Sequence, residues 1–191
     1  MTTLFDLLSS NAESTALIVP SPVPITLNHR ELLDQIHRFQ KKLADIGIAP
    51  HDAVSFAFAN TIELAVAFLA TTFQKAVAAP LNPAYKQEEF EFYLEDLSVA
   101  VILLPQGSVA ADGEAVRAAR KCGVAIAEVF WDGKEIALEV LEKGRSLGCR
   151  KACPLQIPLE SDVALVLHTS GTTGRPKAVR TEESHKLNDY H

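Results

Sequence analysis

Short apolar runs alternate with longer amphipathic stretches along most of this 191-residue chain, and that alternation narrows the fold more than any other feature. Residues 54–59, 77–80, 99–104, 124–129 and 163–167 are almost uninterrupted runs of Val, Ile, Leu, Ala and Phe. That is the pattern of strands buried on both faces. Between them the period changes to three and four. Asn28 and Glu31 read as a capping box opening a helix whose apolar face is Leu32, Ile36, Phe39, Leu43 and Ile46, with Gly47 as its stop. Asn60 and Glu63 open a second helix in the same way, with Ile62, Ala65, Val66, Leu69 and Phe73 on one side. A third carries Phe90, Tyr93, Leu94 and Leu97, and a fourth ends at Cys122 before Gly123. Residues 16–19 and 25–27 flank a Pro-rich turn and read as a hairpin, Leu4, Leu7 and Leu8 as a short amphipathic helix, and residues 131–158 as a charged, less regular stretch. Strands alternating with helices of this length predict an α/β fold, a mostly parallel sheet with helices on both faces. Ligands in such sheets sit at the carboxyl ends of strands.

With 48% hydrophobic residues the chain is not disordered, and no apolar run approaches the ~20 residues of a membrane span. The first residues lack a basic segment and include Asp6, so they do not read as a secretory signal. A net charge of −6 argues against nucleic acid as a partner. Cys149 and Cys153 have no second pair to complete a zinc site, and Cys122 stands apart. Neither a disulfide nor a cysteine-bound metal is expected.

Residues 163–179 read VALVLHTSGTTGRPKAV, a buried strand ending abruptly in a loop of small residues. Thr169, Ser170, Thr172 and Thr173 bring four hydroxyls together, while Gly171 and Gly174 let the backbone turn tightly and approach a ligand. Arg175 and Lys177 add positive charge on either side of Pro176. Hydroxyls, free backbone N–H groups and a lysine suit a polyphosphate. The spacing is not that of a Walker A loop, whose lysine follows its second glycine directly, nor of the dinucleotide fingerprint.

Thr169 to Lys177 matches the T-S-G-T-T-G-x-P-K-G signature of the adenylate-forming, AMP-binding acyl-CoA synthetases at every defined position, with Ala178 replacing the final glycine. APLNPAYKQEEFEFYLEDL, residues 79–97, resembles a further stretch of that family's N-terminal domain, and TLNHRELLDQI its first long helix. HTSGTTGRPK together with EEFEFYLEDL resembles the oxalate–CoA ligase branch. The resemblance covers residues 16–179 and implies an incomplete N-terminal portion of the family's large domain over residues 1–179. Residues 180–191 read as a tail foreign to the family's pattern. The family's motifs beyond the loop, and its C-terminal domain, have no counterpart in this sequence.

What the resemblance implies is an ATP-dependent acid–CoA ligase. A carboxylic acid and ATP give acyl-AMP and pyrophosphate, and CoA then takes the acyl group as a thioester. ATP, Mg2+ and CoA would be the cofactors of the complete enzyme, a small carboxylic acid its partner, and the cytoplasm or peroxisomal matrix its location. Thr169, Ser170, Gly171, Thr172, Thr173 and Gly174 would wrap the β- and γ-phosphates, Lys177 would neutralise their charge, and Thr172 or Thr173 would reach Mg2+, with Thr172 the candidate ligand. No catalytic residue is assigned, and the chain alone is expected to turn over nothing. The alternative is a non-catalytic, stand-alone fragment that at most binds nucleotide weakly. Arg175 reads as solvated, His168 as structural or pocket-lining, and the pairs Glu88–Glu89 and Glu95–Asp96 as a solvated helix face. Two further expectations concern the end of the pattern. The sheet should stop at an unpaired strand 163–167, a hazard for aggregation, and Ala178 should strain the loop if its φ is positive.

Overall fold

The computed structural model describes residues 12–20, 24–169 and 177–182. Thr15–Val19 (β1) and Ile25–Asn28 (β2) form an antiparallel pair, as the hairpin reading expects. The helix expected around Leu4, Leu7 and Leu8 lies outside the described residues. Asn28 caps His29–Asp45 (α1). Its side chain accepts the Glu31 N–H at 2.8 Å, and the Glu31 carboxylate accepts the Asn28 N–H at 2.9 Å. That reciprocal pair satisfies two N–H groups that a helix start otherwise leaves open.

Among the described residues the main sheet has seven strands. Ala53–Phe56 (β3), Val77–Pro80 (β4), Val101–Pro105 (β5), Ala125–Trp131 (β6) and Val163–Thr169 (β8) run parallel to their neighbours among these five. Both edges are antiparallel, Ile136–Glu142 (β7) on β6 and Lys177–Glu182 (β9) on β8, which gives the order β7-β6-β5-β3-β4-β8-β9. The helices Ile62–Phe73 (α2), Gln87–Asp96 (α3) and Glu114–Cys122 (α4) make the crossovers. The chain steps from β3 to β4 through α2, then reverses direction, returning to β5 through α3 and on to β6 through α4. With right-handed crossovers, opposite directions place helices on opposite faces. Accordingly α1 and α2 cover one face and α3 and α4 the other.

Side chains along the strands alternate between the two cores. Val54, Phe56, Val101, Leu103, Ala125 and Ala127 pack under α1 and α2 against Phe39, Val66 and Phe73. Ala53, Ile102, Leu104 and Ile126 pack on the other face against Phe90, Leu94 and Val116. This is why the strands read as continuous apolar runs.

Three local expectations need correction. The cap of α2 is Thr61, which accepts the Leu64 N–H, and not Asn60; Glu63 instead accepts the Trp131 N–H at 3.0 Å. Residues 131–158 contain an ordered strand, β7, reached through a tight turn in which Asp132 accepts the N–H groups of Lys134 and Glu135, each at 2.8 Å. The sheet does not stop at residues 163–167, because β9 pairs along β8.

Candidate phosphate-loop site

The site is a hairpin at one edge of the sheet. β8 lies parallel to β4, with Ala78 opposite Leu165, so the segment that follows β8 leaves from the carboxyl end of a parallel strand. That is where doubly wound sheets present ligand-binding loops. The β8–β9 ladder closes with His168 opposite Ala178 and Thr169 opposite Lys177. Two of the expected phosphate-binding residues, Thr169 and Lys177, therefore face each other across the stem, at the two ends of the loop. Ser170, Gly171, Thr172, Thr173 and Gly174, with Arg175, lie outside the described residues. Ala178 sits in an extended strand, a conformation alanine adopts freely, so the condition for strain at that position is not met.

Two devices fix the stem. The first is a latch on the segment leading into β8. Gln40 and Gln74, both buried, turn their amides onto this segment. Gln74 Nε2 donates to Pro154 O at 3.0 Å and Ile48 O at 3.1 Å, and Gln40 Nε2 to Gln156 O at 2.9 Å and Phe73 O at 3.0 Å. Cys153 N–H donates to Ala44 O at 2.9 Å. Gly47 has φ +90°, and a Cβ there would come within 2.7 Å of Arg150 Cβ and 2.8 Å of Lys151 O, so only glycine lets the segment pass so close. At the threshold of β8, Asp162 accepts the Leu159 N–H at 2.7 Å and pairs with Lys75 at 3.1 Å.

The second device acts at the loop end. His168 extends toward α3, with its ring centroid 4.5 Å from that of Tyr93 and 6.3 Å from that of Phe92. Its Nε2 lies 3.0 Å from Asp96 Oδ2. Tyr93 in turn stacks at 5.2 Å on Tyr85. Burial, followed by the hydrogen bond with Tyr85, pushes the Tyr93 phenol up to about 12.

Asp96 is exposed, as the reading of a solvated face expects, and it also holds a side chain of the stem. Glu89 caps its own helix by accepting the Lys86 N–H at 2.8 Å, while Glu88 is exposed. Sequence reasoning passed over Gln40 and Gln74, although an amide on the apolar stripe between Ile36 and Leu43 signals a buried polar task. A cavity of about 320 Å3 also borders β8. It lies at the strand's amino end, lined by His51, Ala53, Val77, Leu97, Val163 and Arg180, away from the loop. Among the described residues no cluster of His, Cys, Asp or Glu is arranged to hold a metal, and no helix is long and apolar enough to cross a membrane.

The family model of the AMP-binding enzymes matches residues 8–188. An oxalate–CoA ligase of Arabidopsis thaliana is 40% identical over 154 residues, covering 80% of this chain and 29% of that protein. The oxalate–CoA ligase of Saccharomyces cerevisiae is 33% identical over 193 residues, covering 89% of this chain and 35% of that protein. The chain thus spans about a third of the length of these relatives. Among solved structures, ATP-bound MatB of Rhodopseudomonas palustris superposes with a TM-score of 0.71 at 22% identity, covering 96% of this chain and 35% of that one.

Proposed function

The chain belongs to the AMP-binding enzyme family, and on that premise we propose that it is part of an ATP-dependent, AMP-forming acid–CoA ligase that contributes the phosphate loop. The observation that carries this reading is the T-S-G-T-T-G-R-P-K sequence hung between antiparallel β8 and β9 at the carboxyl end of a parallel strand. In the first step a carboxylate oxygen attacks the α-phosphorus of ATP, and the bond to the bridging oxygen breaks to release pyrophosphate. Two anions must meet while a third leaves, so positioning and charge neutralisation supply most of the catalysis.

Thr169 to Gly174 hold the β- and γ-phosphates through hydroxyl and backbone N–H donors, and Lys177 offsets their charge from the opposite end of the stem. The hydroxyls of Thr172 and Thr173 are hard oxygen donors of the kind Mg2+ accepts, with Thr172 the candidate ligand. Mg2+ held there would supply charge neutralisation for the leaving pyrophosphate. CoA thiol displaces AMP in the second step, for which this chain supplies no assigned residue. The two oxalate–CoA ligase relatives support oxalate as the acid of the complete enzyme.

The alternative from the sequence is a non-catalytic fragment that binds nucleotide weakly. One experiment tests the nucleotide loop that both readings share. The 191-residue chain is titrated with MgATP by calorimetry, and ATP–pyrophosphate exchange is followed with oxalate present. Binding that Lys177→Ala weakens, without exchange, is the expected result for this chain alone. Exchange would place catalysis within it, and the absence of ATP binding would overturn the assignment of the loop.

A further inference from the structure

We infer that His168 and Asp96 form a positioning pair that holds the phosphate loop's stem against α3 and so prepares the loop for a triphosphate; this rests on the proposed nucleotide-binding role. The hairpin is anchored unevenly. β8 pairs with β4 at Ala78–Leu165, so the rungs at His168 and Thr169 extend beyond that anchorage toward the loop. On the other side β9 is the outer strand of the sheet. Hydrogen bonds within a two-stranded ribbon hold its strands to each other and leave the ribbon's tilt against the domain undetermined. A side chain that crosses from the stem to the helical layer fixes that tilt, and His168 makes such a crossing.

The pair is asymmetric in a way that suits positioning. The His168 side chain is 4% exposed, and Asp96 is 44% exposed at the end of α3. The buried ring is wedged by Tyr93 and Phe92, which limit its translation. The Asp96 carboxylate at 3.0 Å accepts from Nε2 and fixes rotation about the ring's own axis. A stem held at a defined tilt fixes where Thr169 and Lys177 stand relative to α3, which lowers the ordering cost of nucleotide binding. Loss of the pair therefore appears in nucleotide affinity more than in global stability. Neither side chain is assigned contact with ATP; the pair acts through the backbone of Thr169 and the loop.

The test compares the parent 191-residue chain with Asp96→Ala, His168→Phe, the double variant and Asp96→Asn, each titrated with MgATP and each melted. Phenylalanine keeps the ring in its slot, and Asp96 is exposed enough for alanine to leave the fold intact. Each single variant is expected to weaken ATP binding roughly three- to tenfold, and the double variant no further than either single, as for one coupled interaction. Asp96→Asn, which keeps an acceptor oxygen, should regain part of the loss. With ATP bound, the amide resonances of Ser170 and Gly171 should shift in the same direction in Asp96→Ala and His168→Phe. Additive losses, or lowered melting temperatures with unchanged affinity, would overturn the pair. If His168→Phe fails to fold, Asp96→Ala and Asp96→Asn still decide the matter. A folded parent that binds no ATP would sink the nucleotide-binding reading itself, which is a distinct result, and the proposal with it.

Discussion

The two ends of the sheet are built to different standards. Around β3, β5 and β6 both faces are closed, and Val54, Phe56, Val101, Ile102, Leu103, Ala125, Ile126 and Ala127 have essentially no contact with water. At β8 and β9 closure is partial. Leu167 and Val179, opposite each other in the ladder, are both exposed. Leu155, Ile157 and Leu159 on the incoming segment are exposed as well. These five account for most of the eight large apolar side chains exposed among the described residues. Stability comes from the closed end, where apolar area leaves water and packing is dense. The candidate chemistry sits at the open end, whose geometry is held by polar ties: the two glutamines, Lys75–Asp162 and His168–Asp96. A loop proposed to hold phosphate has to stay accessible, so directional bonds stand there in place of a sealed core.

The largest expected effect tests where the stability resides. Phe56→Ala removes a fully buried ring from the closed end and should cost about 3–5 kcal/mol in urea unfolding. Leu167→Ala should cost less than about 0.5 kcal/mol, as at an ordinary surface position. Comparable losses would erase the distinction between the two ends.

Next comes the latch joining them. Gln74→Leu keeps the side-chain bulk while removing two hydrogen bonds, to Ile48 O and Pro154 O, which retain Cys153 Sγ and Gln156 Nε2 as donors. Loss of the two bonds should cost about 1–3 kcal/mol. Hydrogen exchange should rise at Cys153, whose N–H is held by Ala44 O beside the latch, while amides of β5 and β6 keep their protection relative to global unfolding. Uniform acceleration would mean that the latch belongs to the closed end.

Tyr93 lies on the seam between the ends and gives the comparison a pH signature. Burial first, and the Tyr85 hydroxyl second, raise its phenol from 10.0 to about 12. A group whose folded value is raised contributes stability that is complete below the unfolded value and is lost as pH climbs to the folded one. Unfolding midpoints should therefore fall between pH 10 and about pH 12, beyond the decline shared by all tyrosines and lysines. Tyr93→Phe should flatten that extra fall, and an unchanged alkaline profile in the variant would refute the assignment.

The same contrast explains what could be read from sequence. The closed end announces itself locally, through continuous apolar strands, helical periodicity and the Asn28–Glu31 capping box, because burial on both faces leaves little freedom in residue choice. The loop motif was equally legible, since nine consecutive residues from Thr169 to Lys177 carry it. β7 was missed because only one of its faces is well buried, so Ile136 to Glu142 mixes apolar and charged residues; the Asp132–Gly133 turn signal before it went unused. β9 was missed for a similar reason, since Lys177 reads as the end of the loop motif and residues from Arg180 as a polar tail until β8 supplies a partner. The ties of the open end join residues far apart in the chain, with His168 and Asp96 separated by 72 positions and Gln40 and Gln156 by 116. No local pattern encodes such pairs.

The smallest expected effect on stability probes the outer face of the hairpin. Leu167 and Val179 are direct cross-strand neighbours, so placing two lysines there would add repulsion between like charges, whereas Leu167→Glu with Val179→Lys sets opposite charges face to face. Neither apolar side chain is buried, so little transfer free energy is at stake, and the double variant should unfold within about 0.5 kcal/mol of the parent. Its association should change far more. An outer strand with apolar residues on an uncovered face is a template for intermolecular pairing, and charge on that face opposes it. Refolding followed by light scattering should show more soluble monomer for the charged pair than for the parent. A loss of stability well above 1 kcal/mol would mean that another part of the chain covers this face, and the open end would then be as closed as the other. Equal scattering from both proteins would show that association proceeds elsewhere, with the exposed Leu155, Ile157 and Leu159 the next positions to charge.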